Sequence, residues 1–148
     1  MKTTLITGGL GFIGSNICDS LLQKKYTNKC ILLDNFGGYM NPIKDSFIDF
    51  RKQRFPSLKN IIIERCDTSN YKALSSIINK YKPNYIYHTA ALPLAKVSNL
   101  NNEEAKISSV DSTVNIIDAI NLIKNSNQKY QFDRFVYFSS SMVYGDFK

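Results

Sequence analysis

The sequence predicts an α/β fold, a three-layer arrangement around a doubly wound parallel sheet. Two observations carry that prediction. Short β-rich runs alternate with stretches of helical periodicity along the whole chain, the pattern of βαβ crossovers. Four of the seven glycines crowd the first strand-to-helix turn. Because crossovers are right-handed, few arrangements remain, and the strand order 3-2-1-4-5 is the natural one.

Each element has its own signal. Residues 3–7 (TTLIT) read as a buried strand, and Ile13 to Gln23 carries a helical stripe at 13, 17, 21 and 22. Residues 30–34 (CILLD) form the second strand. Phe47, Ile48 and Phe50 among charges predict a short helix over 45–54. Residues 61–66 (IIIERC) give the third strand. Leu74, Ile77 and Ile78 mark a helix over 71–81, which Pro83 stops. Residues 85–89 (YIYHT) are the fourth strand. Residues 103–123 form one long helix with Ile107, Val110, Val114, Ile117 and Ile120 on one side, and residues 135–139 (FVYFS) are the fifth strand. Residues 35–60 make the longest connection, with turns at Gly37, Gly38, Pro42 and Pro56.

Composition sets limits. With 148 residues, 43% hydrophobic and 21% charged, the chain is one ordinary domain. A chain of this size buries roughly two thirds of its unfolded surface. Disordered and collagen-like classes are excluded. No apolar run approaches the ~18 residues that span a bilayer, and the stretch from Leu5 to Ile17 is too interrupted for a signal peptide. Lys plus Arg is 19 against 12 acids, a net charge of +7, which attracts anions such as phosphate, a nucleotide or nucleic acid. The basic residues are scattered from Lys24 to Arg134 without a block, which does not favour nucleic acid. Cys18, Cys30 and Cys66 are odd in number and far apart, neither a disulfide framework nor a zinc set. They point to a reducing cytoplasm.

The glycine turn reads Thr7-Gly8-Gly9-Leu10-Gly11-Phe12-Ile13-Gly14. Gly8 suits a tight positive-φ turn, Gly11 lets backbone approach a pyrophosphate, and Gly14 lets the helix pack near the sheet. The helix N-terminus then offers N–H groups to phosphate. An acid, Asp34, lies about 20 residues beyond Gly14 at the end of the second strand. A carboxylate there can accept both ribose hydroxyls of adenosine and repels a 2′-phosphate, favouring NAD over NADP; the alternative for Asp34 is a residue that simply caps a turn. No Gly-Lys-Ser/Thr comes after the turn, against an ATP-type P-loop.

The form TGGLGFIG resembles the extended short-chain dehydrogenase/reductase family, specifically its NAD-dependent sugar-nucleotide epimerases and dehydratases, with the Rossmann fold. The likeness continues in order along the chain. Asp34-Asn35-Phe36 resembles the family's adenosine-binding Asp-Asn-Leu/Phe. Cys66-Asp67-Thr68 resembles its Gly-Asp-Ile/Leu, whose Asp faces the adenine. His88-Thr89-Ala90-Ala91 resembles its His-x-Ala-Ala, and the run from Phe138 to Gly145 resembles Ser-Ser/Thr-x-x-Val-Tyr-Gly. The resemblance implies cofactor contacts at Gly8, Gly11, Phe12, Ile13, Gly14, Asp34, Asn35, Phe36, Asp67, Thr68, Thr89, Ala90, Ala91, Ser109, Ser139 and Ser140. The chain departs from the pattern at three places. Cys66 replaces a glycine, Ser109 stands where many members have Asn, and Pro93 stands where the epimerase has lysine, so Lys96 does not inherit that role. Ser112-Thr113 resembles a Gly-Thr.

The family's chemistry is hydride transfer between a sugar carbon and the nicotinamide. A Tyr takes the hydroxyl proton, a Lys four residues on lowers its pKa, and a Ser or Thr at the end of the fifth strand hydrogen-bonds the reacting oxygen. Ser140 matches that last position. Tyr144 and Lys148 fit Tyr-x-x-x-Lys literally, but Gly145 and Asp146 read as a loop, whereas that motif belongs on a helix. Tyr144 aligns instead with the Val-Tyr-Gly tyrosine. The expectation is therefore a cofactor half, the partial NAD-binding Rossmann domain, with the Tyr-x-x-x-Lys segment and substrate domain absent and residues 1–148 inactive alone. Its implied partners are a nucleotide-sugar in the full-length parent and a second copy in a homodimer, in the cytoplasm and away from membranes. His88, the only histidine, reads as a satisfied structural residue. Other classes stay open: an NAD-binding or assembly module without catalysis, and a nucleic-acid binder.

Overall fold

Five strands share one sheet: β1 (Thr3–Thr7), β2 (Lys29–Asp34), β3 (Ile61–Arg65), β4 (Tyr85–His88) and β5 (Arg134–Tyr137). They run parallel in the order β3-β2-β1-β4-β5, the order expected from the sequence. The structure, a computed structural model, describes residues 2–37, 53, 55, 58–92 and 102–145. The helix expected over 45–54 and the positions of Pro93 and Lys96 lie outside the described residues.

Alternate residues of the central strands feed two cores. Leu5, Ile31, Leu33 and Ile86 pack beneath α2 (Tyr71–Tyr81) and α4 (Ser112–Ser126), meeting Leu74, Ile78, Ile116 and Ile120. Ile6, Cys30 and Leu32 point to the other face, where α1 (Phe12–Gln23) contributes Cys18. β2 is buried on both faces, which explains why its sequence is apolar without alternation. Helices on both sides of the sheet make three layers.

The helix ends obey local chemistry. Asn70 caps α2 by accepting the Ala73 amide at 3.1 Å. Lys82 closes it in the left-handed region (φ 44°), returning its N–H to the Ile78 carbonyl before Pro83.

Two elements differ from expectation. The long helix is not continuous: α3 (Asn102–Lys106) leads into a π-turn, Ile107–Asp111, and then α4. Of the five apolar residues expected along one side, only Ile120 is buried. The buried face runs instead through Ser112, Ile116, Ala119, Ile120 and Ile123. A π-turn rotates the helix beyond it, so one helical stripe cannot describe both halves. β5 ends at Tyr137 rather than Ser139, because its partner β4 ends at His88 and the ladder stops there.

Candidate functional site

The strand order reverses direction between β1 and β4, so their carboxyl ends splay and open a crevice. A cleft of about 640 Å³ sits there. The glycine turn forms one wall, the ends of β2 and β3 another, Thr89 to Leu92 a third, and Ile107 and Ser108 of the π-turn the last.

The turn is as tight as its sequence requires. Gly8 has φ +63°, and a Cβ there would lie 3.0 Å from the Ala90 backbone, so β1 and the segment after β4 touch through a glycine. The Gly11 amide donates to the Gly8 carbonyl at 3.0 Å and closes the turn. α1 starts at once: Gly11 is its N-cap, no side chain caps it, and no acid occupies its first turn. Its leading N–H groups thus have no side-chain acceptor, and Phe12 and Ile13 line the cleft. Gly14 has a different role from the one its position suggested. A Cβ there would meet the Gly8 carbonyl oxygen at 2.4 Å, so Gly14 seats the helix on the turn. Contact with the sheet falls to Gly9, whose added Cβ would lie 2.8 Å from the Leu32 Cβ.

Asp34 ends β2, buried behind the turn. Its Oδ2 accepts the Leu10 amide at 3.1 Å and its Oδ1 accepts the Phe36 amide at 3.0 Å. Each oxygen keeps a second lone pair, and the residue lines the cleft. Asn35 beside it donates to Asp67 Oδ2 at 3.0 Å and accepts the Gly37 amide at 2.8 Å. Asp67 also accepts the Ser69 amide and hydroxyl at 2.8 and 2.7 Å. Burial pushes the Asp67 carboxyl up, but the Asn35 and Ser69 donors outweigh it and hold it below the usual carboxylate range. Asp67 thus faces the cleft ionised. Burial first, then the Asp67 and Glu64 charges, pushes the neighbouring Cys66 thiol up to about 11, so it lines the cleft as a neutral group.

Eleven of the residues expected to contact cofactor line this one cleft: Gly8, Gly11, Phe12, Ile13, Asp34, Asn35, Asp67, Thr68, Thr89, Ala90 and Ala91. Phe36 lies beside them in a left-handed conformation (φ 57°), its ring centroid 5.6 Å from the Arg65 guanidinium. Ser109 is one residue past the wall-forming Ser108, in the same π-turn. Ser139 and Ser140 come after β5, exposed and outside the cleft walls, and Ser140 accepts the Val143 amide at 3.2 Å. Tyr144 ends a 3₁₀ turn, Ser141–Tyr144, and Gly145 is next with φ +68°. That is a turn, not the helix that a Tyr-x-x-x-Lys pair needs, and Lys148 lies outside the described residues.

Other wall residues had no signal in the sequence. Leu92, Ile107 and Ser108 reach the cleft because of the π-turn and the path after β4. Ser112 and Asn115 brace it from behind. Ser112 donates to the Thr68 hydroxyl at 2.5 Å, and Asn115 Nδ2 donates to the Thr68 and Ser69 carbonyls at 3.0 Å each. His88 lies behind the same wall, fully buried. Burial pushes its imidazole down to about 4, so it is neutral at pH 7.

A dinucleotide asks for a backbone cradle at its pyrophosphate, acceptors for its ribose hydroxyls, and apolar walls for its rings. An uncapped helix start pressed against glycines, a buried carboxylate with free lone pairs and a cleft within the usual ligand-pocket range of about 300–1,000 Å³ meet those demands. Fold and cleft define a doubly wound, dinucleotide-binding class of domain. The profile of the NAD dependent epimerase/dehydratase family matches residues 4–148, and the chain belongs to that family.

Among its relatives, a UDP-glucose 4-epimerase of Caenorhabditis elegans is 32% identical over 143 residues, covering 95% of this chain and 38% of that protein. A dTDP-D-glucose 4,6-dehydratase of Dictyostelium discoideum is 28% identical over 145 residues, covering 98% of this chain and 30% of that protein. Among solved structures, the Helicobacter pylori ADP-L-glycero-D-manno-heptose-6-epimerase superposes with a TM-score of 0.71 at 26% identity, over 99% of this chain and 42% of its own. A UDP-glucose-4-epimerase from Stenotrophomonas maltophila, solved with bound NAD and formylated UDP-arabinopyranose, shares the fold at a TM-score of 0.74 and 19% identity, over 98% and 39%. The chain therefore spans less than half the length of these relatives. The expected family and the expected cofactor of that family agree with these matches.

Proposed function

We propose that this chain binds NAD in the cleft and forms the cofactor half of an enzyme that transiently oxidises a hydroxyl of a nucleotide-bound sugar. One observation carries the reading: the uncapped start of α1 and the Asp34 carboxylate face the same cleft from adjoining walls. The pyrophosphate takes the N–H groups at the turn. The adenosine ribose hydroxyls donate to the lone pairs that Asp34 retains, and a 2′-phosphate would meet that charge. Asp67, held ionised by Asn35 and Ser69, faces the adenine. Thr89 to Ala91 lie along the rest of the cofactor. Phe36, Ser109 and Ser139 complete its surround, flanking the walls.

Bound NAD supplies a hydride acceptor. In this chain Ser140 sits just past the end of β5, where a hydroxyl can hydrogen-bond the reacting sugar oxygen. Residues 1–148 alone bind cofactor without turnover, since none of the described helices carries a Tyr-x-x-x-Lys pair. The wider protein takes a nucleotide-sugar, in keeping with the names of the relatives. Two copies pair through the outer face of the π-turn and α4, where Val110, Val114 and Ile117 are exposed. The location is the cytoplasm, in keeping with three free cysteines. Among the described residues no helix is long and apolar enough to cross a membrane.

Calorimetric titration with NAD and NADP tests the reading. NAD is expected to bind, with NADP weaker by about tenfold or more, since tenfold is only about 1.4 kcal/mol. Absence of NAD binding, or a preference for NADP, overturns it.

A further inference from the structure

We propose that His88 is a positioning residue that locks two walls of the cleft at one spacing and so sets the affinity for a whole dinucleotide rather than for either half. The inference rests on the NAD reading above. It stands on a directed chain of hydrogen bonds. The Ala90 amide donates to the Thr7 hydroxyl oxygen at 3.2 Å. That hydroxyl lies 2.6 Å from His88 Nδ1. On the far side of the ring, Nε2 lies 3.5 Å from the Ser112 hydroxyl, which donates to Thr68 at 2.5 Å.

We assign the donor and acceptor roles by counting protons, with the Ser112 hydroxyl as the donor to Thr68. Ser112 spends its one proton on Thr68, so it can only accept from the ring, and Nε2 carries the hydrogen. Nδ1 is then an acceptor, and the Thr7 proton goes to it while the Thr7 oxygen accepts from Ala90. One proton per link runs without conflict from the Ala90 wall to the Thr68 wall. Both ends of the chain are cleft-lining residues.

Packing alone does not require this ring. Phe135 and Tyr137 flank it, with ring centroids 6.2 and 5.8 Å away, and an apolar side chain would fill the same space without burying polar nitrogens. Asn115 meanwhile holds the Thr68–Ser69 backbone to α4 independently of His88. Without the imidazole bridge each wall keeps its own fold, and what is lost is their mutual spacing. A ligand on one wall should not notice. A ligand spanning both should.

The test is calorimetry at pH 7 with NAD and with AMP, on the wild type, His88→Phe, His88→Gln and Ser112→Ala. His88→Phe should weaken NAD by about tenfold and AMP by less than about twofold, the loss expected for two hydrogen bonds felt only by the longer ligand. Ser112→Ala, which opens no sizeable cavity and guards against a misfolded histidine variant, should lower NAD affinity by about threefold with AMP unchanged. His88→Gln, which can accept and donate, should recover most of the loss. As the only histidine, His88 also gives one unambiguous set of imidazole ¹⁵N resonances, expected to show Nε2–H and a bare Nδ1. Equal losses for NAD and AMP, an unchanged NAD-to-AMP ratio in every variant, or the opposite tautomer overturns the proposal. If the wild type binds AMP but not NAD, the cofactor reading falls with it. If the wild type binds NAD and the ratio never moves, only the role of His88 falls.

Discussion

The Asp34 carboxylate accepts the buried Leu10 amide at 3.1 Å, so a single acid both secures the glycine turn and faces the cleft. Asp34→Ala removes both functions. It leaves the Leu10 amide without its acceptor, a loss of about 1–3 kcal/mol of stability. It also removes the ribose acceptor, lowering NAD affinity by about tenfold or more. Urea denaturation and calorimetry check the two separately. An Asp34→Ala protein that binds NAD as well as the wild type would refute the ribose assignment.

Gly14→Ala places a methyl group where the Gly8 carbonyl oxygen is 2.4 Å away. That neighbour is backbone and cannot swing aside, so helix and turn must separate. The expected result is a loss of about 2 kcal/mol or more in stability, comparable to overpacking a core, with NAD affinity reduced. A fully stable Gly14→Ala protein with intact NAD binding would show that α1 does not sit on the turn.

Acid should destabilise the fold from about pH 6.5 downward through His88. His88 has a folded value of about 4, below its ordinary 6.5. Above pH 6.5 it is neutral folded or unfolded, and its contribution is fully present. As pH falls, the unfolded chain takes up a proton that the folded chain refuses, until about pH 4. The difference corresponds to about 3 kcal/mol. The groups facing the ring are the Thr7 and Ser112 hydroxyls and the Phe135 and Tyr137 rings, none of them a charge that would offset burial. Asp67, held below the usual carboxylate range, loses its contribution only at lower pH. Denaturation at pH 7 and pH 4.5 should show a drop in the wild type that His88→Gln largely lacks. Parallel drops in both would be contrary evidence.

Tyr144 matches a catalytic spacing and should not behave as one. It is 75% exposed in a 3₁₀ turn that leads into a left-handed glycine. Tyr144→Phe should leave NAD affinity within about twofold, because an exposed hydroxyl contributes little. Epimerase turnover by residues 1–148 that disappeared on this substitution would mean the turn becomes a catalytic helix.

The sheet order was legible because short β-rich runs alternate with helical periodicity and each crossover has one allowed hand. The cleft was legible through Gly8 and Asp34, whose positions are fixed by backbone geometry at strand ends. The role of Gly14 was only half legible: spacing shows that a small residue is needed, but not that the turn rather than the sheet is its neighbour. The buried face of α4 was not legible. Ile107, Val110, Val114 and Ile117 form a convincing stripe, yet the residues that face the core include Ser112 and Ala119. Ser112 is buried for its hydrogen bond to Thr68, which no hydrophobic pattern reports. Ser112 and His88 join across 24 residues of sequence, and periodicity is blind to such pairs.

The π-turn makes the roof of the cleft a matter of residue count. The Ser112 amide reaches back five residues to the Ile107 carbonyl. The turn thus holds one residue beyond an α-helical one and advances the next helix by about 100°. Ile107 and Ser108 can look into the cleft while Ser112 and Ile116 look into the core. Substitution in this segment alters one contact at a time. A one-residue deletion would rotate the whole roof out of phase with its foundation, so lineages carrying this wall should tolerate changes of letter here far better than changes of length.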